Sequence, residues 1–136
     1  SRLLTVWPLA TTGNFAIGYQ QNRSVFIGEV AVTTGTAVIS YTSASLAIQI
    51  PKKAKTFSGG ISLAYAGGSP TAIYKISPKG TTTGNQQFAL FTSTAVAIQT
   101  RMVVVDMPVV ETQVVYYSIT GQAFSTAALS ISAYTF

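Results

Sequence analysis

The sequence predicts an all-β domain, an antiparallel β-sandwich of jelly-roll-like kind with about ten strands, on three observations. Apolar residues recur with period two: Leu46, Ile48 and Ile50 alternate with Ala47 and Gln49, and Leu129, Ile131 and Ala133 alternate with Ser130 and Ser132. Such alternation puts every second side chain on one face of an extended chain, the mark of a half-buried strand. Val, Ile, Thr, Tyr and Phe crowd the apolar segments, which favours strand over helix. Turn residues interrupt the chain at short intervals, where glycine accepts a positive φ and proline presets a negative one.

Taken in order, strands are expected near 3–7, 14–19, 24–33, 36–41, 45–50, 60–66, 71–77, 86–92, 95–105, 112–119 and 127–135, one more than ten if 36–41 stands alone. The punctuation between them is Thr12-Gly13-Asn14, Thr34-Gly35, Gly59-Gly60, Gly67-Gly68-Ser69-Pro70, Pro78-Lys79-Gly80, Gly84-Asn85 and Thr120-Gly121. No Pro/Gly/Ser linker long enough to divide two domains occurs, and no internal repeat, so residues 1–136 are read as a single sandwich domain. The chain opens with Ser1-Arg2-Leu3 and shows no charged segment followed by an apolar one, so no signal peptide is expected. That opening suits a processed protein or the carboxy-terminal part of a longer fibrous chain.

Composition narrows the function classes. The 136 residues include no cysteine and no histidine, and the only carboxylates are Glu29, Asp106 and Glu111. Disulfide frameworks, thiolate metal sites, cysteine nucleophiles and Ser-His-Asp arrangements are thereby excluded. No metal-ligand spacing and no Gly-rich phosphate loop occurs, so no cofactor and no metal is expected. Charged residues are 8% of the chain, against about 25% in ordinary soluble domains. Serine and threonine must supply much of the polar surface, and part of the apolar surface is expected to be covered by copies of the chain. Apolar runs are short and broken, far below the roughly 20 residues of a spanning helix, so no membrane insertion is expected. With so few titratable groups, stability should be nearly indifferent to pH between about 5 and 8.

Candidate ligand-binding residues lie in three places. Lys52, Lys53 and Lys55 follow Pro51 in an expected loop and suit phosphate, sulfated sugar or anionic lipopolysaccharide. The same lysines also suit a solvated loop that guards a strand edge. Tyr19, Asn22 and Arg23 sit in one polar and aromatic turn, and Tyr65 stands beside Gly67-Gly68-Ser69. Aromatic faces and amide or hydroxyl groups together grip sugars, whose ring faces are apolar while their edges are polar. Asn85-Gln86-Gln87 is a further polar loop, and Trp7 is read as packing over a sandwich end or an interface. Asp106 and Glu111 flank Met107-Pro108-Val109-Val110. A carboxylate pair can hydrolyse a glycoside, but Asp106 bonding its own turn and Glu111 pairing with a nearby Lys or Arg is the reading preferred. Tyr116 and Tyr117 point to opposite faces of one strand, so at least one should meet solvent, a ligand or a neighbouring subunit.

The segment from Val103 to Gly121, with Asp106-Met107-Pro108 and Thr112-Gln113-Val114-Val115-Tyr116-Tyr117 followed by the alternating Ala127–Phe136 strand, resembles the carboxy-terminal knob domains of bacteriophage tail fibres and tailspikes. The resemblance covers about 35 residues, a pattern rather than a signature motif. It implies a sandwich or jelly roll, a tight homotrimer and a role in host-surface attachment or trimer assembly. Read this way, the chain is a non-enzymatic attachment domain on the virion. Its partners would be itself and a host cell-surface polysaccharide or lipopolysaccharide, with no nucleic acid. The rival readings are a small jelly-roll coat protein, a glycosidase with carboxylates shared between subunits and a free-standing carbohydrate-binding module.

Overall fold

The computed structural model describes residues 18–65, 71–91 and 97–136, with Tyr19 as backbone alone. Expectations for the strand at 3–7, for Trp7 and for the glycine-rich turn at 67–70 lie outside those residues. Among the described residues nine strands form: β1 (Gly18–Gln21), β2 (Ser24–Thr33), β3 (Ile39–Ser45), β4 (Thr56–Tyr65), β5 (Ala72–Ser77), β6 (Gln86–Leu90), β7 (Ile98–Pro108), β8 (Val114–Gly121) and β9 (Thr126–Thr135). They make a five-stranded sheet, β1-β2-β9-β4-β7, and a four-stranded sheet, β3-β8-β5-β6. Every pairing is antiparallel.

The pairs β5/β6, β4/β7, β3/β8 and β2/β9 are nested, like the rungs of one long hairpin. That hairpin is wrapped so that β9 also meets β4 and β8 also meets β5. This is the strand order of an eight-stranded jelly roll, with β1 added at one edge. The expected β-sandwich is therefore the fold observed.

Alternation supplies the core. Val25 and Ile27 on β2, Phe57, Ile61 and Leu63 on β4, and Leu129 and Ile131 on β9 turn inward from the larger sheet. Ala72, Tyr74 and Ile76 on β5 and Val115 and Ile119 on β8 meet them from the smaller one. The Tyr74 ring stacks on Tyr117 at 5.9 Å and 11°, and Phe124 packs obliquely against Tyr74 at 6.3 Å. Tyr65 lies in this core, 4% exposed, with its ring edge-on to Phe124. Burial pushes the phenol of Tyr74 up, and that of Tyr134 up to about 12.

Two sequence expectations are corrected. Of the strand expected over 45–50, only Ser45 lies in one, as the end of β3, and 46–50 is not extended. Gln49 and Ile50 donate their N–H groups to the Leu46 carbonyl, each at 3.0 Å, closing a single helical turn. Leu46 and Ile50 are buried while Ile48 is 67% exposed. Three alternating apolar residues also fit i and i+4 on a helical turn, and here that period won. Gly59-Gly60 is likewise not a turn but the middle of β4, which begins at Thr56 rather than at 60. A Cβ on Gly59 would stand 1.9 Å from the Ser130 carbonyl oxygen, where the β4–β9 register shifts between Ser58 and Gly59. The glycine is needed for close approach of two backbones, not for a reversal of direction.

Gly59→Ala should therefore cost about 2–3 kcal/mol or more, because neither backbone can yield locally. At Gly28 an added Cβ meets nothing within 4 Å, and Gly28→Ala should change stability by less than about 0.5 kcal/mol. Urea denaturation of the two variants beside the parent chain checks both figures.

Candidate functional site

Antiparallel pairing throughout makes the β1–β2, β3–β4, β5–β6 and β7–β8 connections emerge at the same end of the sandwich. Backbone hydrogen bonds tie that end together. The N–H of Phe136 donates to the Arg23 carbonyl at 3.2 Å, that of Lys55 to Thr135 at 2.7 Å, and that of Val109 to Lys55 at 2.8 Å. The ladder thus runs β2, β9, β4, β7 one step past the strands. From the smaller sheet, Leu46 N–H donates to the Gln113 carbonyl at 2.8 Å.

Charge is concentrated there. Arg23, Lys52, Lys53, Lys55 and Lys79 stand in or beside these connections, with the single carboxylate Glu111 in the β7–β8 one. The segments that join strand ends facing the other way, 34–38, 66–71, 91–97 and 122–125, contain no Lys, Arg, Asp or Glu. Lys52 and Lys53 occupy the centre of a turn closed by the Ala54 N–H on the Pro51 carbonyl at 3.0 Å. Ile50 before the turn and Ala54 within it are buried, and Gln113 Nε2 donates to the Ile50 carbonyl at 2.6 Å. The lysine side chains are exposed on a backbone that is pinned, so little ordering is left to be done on binding.

A half-open cleft of about 540 Å³ opens beside this turn. Lys52, Lys53, Lys55 and Thr112 line its polar part, and Val109, Val110 and Phe136 line its apolar part. Among the described residues the one ion pair is Arg101 with Glu29, so the three lysines have no carboxylate within 4.0 Å. Clefts of a few hundred Å³ with an apolar wall and a few convergent polar groups are the usual form of small-ligand sites.

The structure brings together Lys52, Lys53 and Lys55 as ligand candidates, and places the Asn22-Arg23 turn at the same end. Asn22 takes a left-handed φ of 54° between β1 and β2 and accepts a hydrogen bond on its carbonyl from Gln20 Nε2 at 2.7 Å. Tyr65 does not belong to this group. It closes the far end of β4, and a ring buried in the core offers no face to a sugar. The lysines stand on the connection from β3, an edge strand of the smaller sheet, to β4, an interior strand between β9 and β7. Val109, Val110, Thr112 and Phe136 carried no sequence signal as site residues, because the ladder that seats them joins positions far apart in the chain.

The carboxylates are dispersed. Asp106, at φ 46°, forms part of an irregularity in β7, where its N–H donates to Ser58 Oγ at 3.0 Å and its Oδ1 lies 3.5 Å from that hydroxyl. It bonds across strands, not within its own turn. Glu111 accepts from the Tyr116 hydroxyl at 3.0 Å, not from a Lys or Arg. That bond holds the Tyr116 proton in place and raises its phenol above the usual range. Tyr116 also covers Gly80, where a Cβ would meet its ring at 2.9 Å. Tyr117 faces the core. Glu29 accepts from Arg101 and from Ser130 on the outer face of the larger sheet, and these bonds, Arg101 first, hold its carboxyl below the usual range. The Arg101 guanidinium reaches Glu29 by lying over Gly60, where a Cβ would stand 3.1 Å from its Nη2. No group of three or more Asp, Glu, His or Cys that could hold a metal occurs among the described residues.

Comparison with protein-family models, curated proteins and solved structures found no match for this chain.

The titrating groups set the limits of the stability plateau. Glu29 has its folded value lowered, so its contribution is present above the ordinary carboxylate range and is lost as pH falls below it. Tyr134 has its folded value raised, so its contribution is complete below about pH 10 and is lost as pH rises toward about 12. Thermal melts should be flat between these limbs. Glu29→Gln should shrink the acid limb, and Tyr134→Phe the alkaline one; an unchanged pH profile in either variant would refute its assignment.

Proposed function

We propose that the chain is a non-enzymatic attachment domain that holds an anionic surface glycan, a polysaccharide or lipopolysaccharide of a host cell, at its cationic end. In this reading it assembles as a homotrimer in a phage-like tail fibre or spike and is carried on the virion. The observation that carries the reading is the cleft rimmed by Lys52, Lys53 and Lys55, three ammonium groups without carboxylate partners beside the apolar Val109, Val110 and Phe136. Unpaired cations attract an anionic polymer over a Debye length, about 10 Å at 0.1 M salt. The apolar wall suits the C–H face of a sugar ring. Dispersed carboxylates, each held by a hydroxyl or a guanidinium, support binding without hydrolysis.

Self-association is supported by the exposed valines of β7. Val103 and Val105 are 70% and 58% exposed on an edge strand, in a chain with few charges to keep copies apart. A second reading, a small coat protein, is favoured by the jelly-roll strand order, which viral shells and lectins share. Light scattering separates the two, since a trimeric mass supports the first and large closed particles the second.

The combined variant K52A/K53A/K55A should bind an anionic polysaccharide about threefold to a hundredfold more weakly. Exposed ion pairs contribute about 0.2–1 kcal/mol each, and 1.4 kcal/mol is a factor of ten. Its melting temperature should stay within about 2 °C of the parent, since the three side chains are exposed. Binding by the parent chain should fall as salt is raised. Retention of full affinity by the folded triple variant would place the site elsewhere.

A further inference from the structure

Resting on the reading of the cleft as an anionic-glycan site, we infer that the group it takes is a phosphate monoester on a sugar, in preference to a carboxylate such as a uronate. The first ground is the kind of cation present. All three charged residues lining the cleft are lysines, and no arginine lines it. The planar guanidinium fork supplies two parallel N–H donors to a carboxylate or a phosphate alike, and so recognises either by its shape. An ammonium group has no such fork. It acts as a compact point charge whose attraction grows with the charge of its partner, whatever the partner's shape. A monoester phosphate carries about −1.5 to −2 at neutral pH, with three acceptor oxygens; a carboxylate carries one charge and two oxygens.

The second ground is the arrangement. Lys52 and Lys53 are adjacent centres of one turn and Lys55 is two residues on, at the start of the ladder into β4. Three donors from one short pinned segment suit a single tetrahedral group with oxygens in several directions. Thr112 adds a hydroxyl on the same cleft, and Val109, Val110 and Phe136 supply the surface for the ring that carries the phosphate.

The chain contains no histidine, the one side chain whose unperturbed titration falls between pH 5 and 8. A phosphate monoester gains its second charge near pH 6. A change in binding across that interval therefore reports on the ligand. Affinity for a phosphorylated glycan should rise from pH 5 to pH 7.5, while affinity for a carboxylated or sulfated one should stay level.

The test uses one polymer backbone with different anions: phosphorylated dextran, dextran sulfate, carboxymethyl dextran and plain dextran, at equal substitution, titrated by calorimetry into the full chain. At pH 7.5 phosphorylated dextran should bind at least about fivefold more tightly than carboxymethyl dextran, and that margin should shrink severalfold at pH 5. Equal binding of the phosphorylated and carboxymethyl polymers, or a phosphate margin that ignores pH, would overturn the inference and leave the anionic-glycan reading standing. Tighter binding of dextran sulfate than of the phosphorylated polymer would also overturn it, in favour of a sulfate ester. If no charged dextran binds better than plain dextran, the reading of the cleft as an anionic-glycan site falls with it.

Discussion

Each strand of the sandwich runs against its neighbours, and the connections have to come out alternately at its two ends. The whole charge distribution depends on that constraint. Six of the chain's eleven charged residues fall in or beside four connections, β1–β2, β3–β4, β5–β6 and β7–β8, and antiparallel pairing gathers those four in one place. Because β9 inserts between β2 and β4, the residue after β9, Phe136, is hydrogen bonded to Arg23 at the start of β2 and stands beside Lys55 at the start of β4. A cleft with lysines on one side and apolar side chains on the other follows from the order of the strands, with no long loop built for the purpose.

The core and the site place different demands on the same strands. Inward positions of β4 and β9 need bulk, and Phe57, Ile61, Leu63, Leu129 and Ile131 supply it. The outward positions between them are small or polar: Ser58, Gly60 and Ser62 on β4 and Ala128 and Ser130 on β9. The site uses neither face. It occupies strand ends, where side chains are free of the alternation and where an exposed ammonium costs the core nothing. Its three lysines can therefore be exchanged for alanine with little expected loss of stability, whereas one methyl at Gly59 has no room.

How far the sequence could be read depended on the range of the interactions. The strands at 24–33 and 127–135 were legible from their β-branched and apolar residues, and where alternation holds, as at Val25 and Ile27 or Ala127 and Leu129, each residue's face is determined by its immediate neighbours. The segment 45–50 was misread because three apolar residues are too few to tell a strand from one helical turn. Gly59-Gly60 was misread because its reason lies on β9 and β7, at Ser130 and Arg101. The lysines were visible as a cluster, but their apolar neighbours Val109, Val110 and Phe136 became adjacent only through ladder bonds that span much of the chain. Tyr65 looked available beside a glycine-rich segment, yet it follows the inward parity of β4.

Arg101 and Glu29 join across the outer face of the larger sheet, with Gly60 leaving room for the guanidinium to rest flush on the backbone. Seen from solvent, that face is low in relief, and its two opposite charges cancel at short range. A body laid over it would have to strip water from both partners of that exposed pair, so the pair acts as a wet patch that counts against covering the middle of this face.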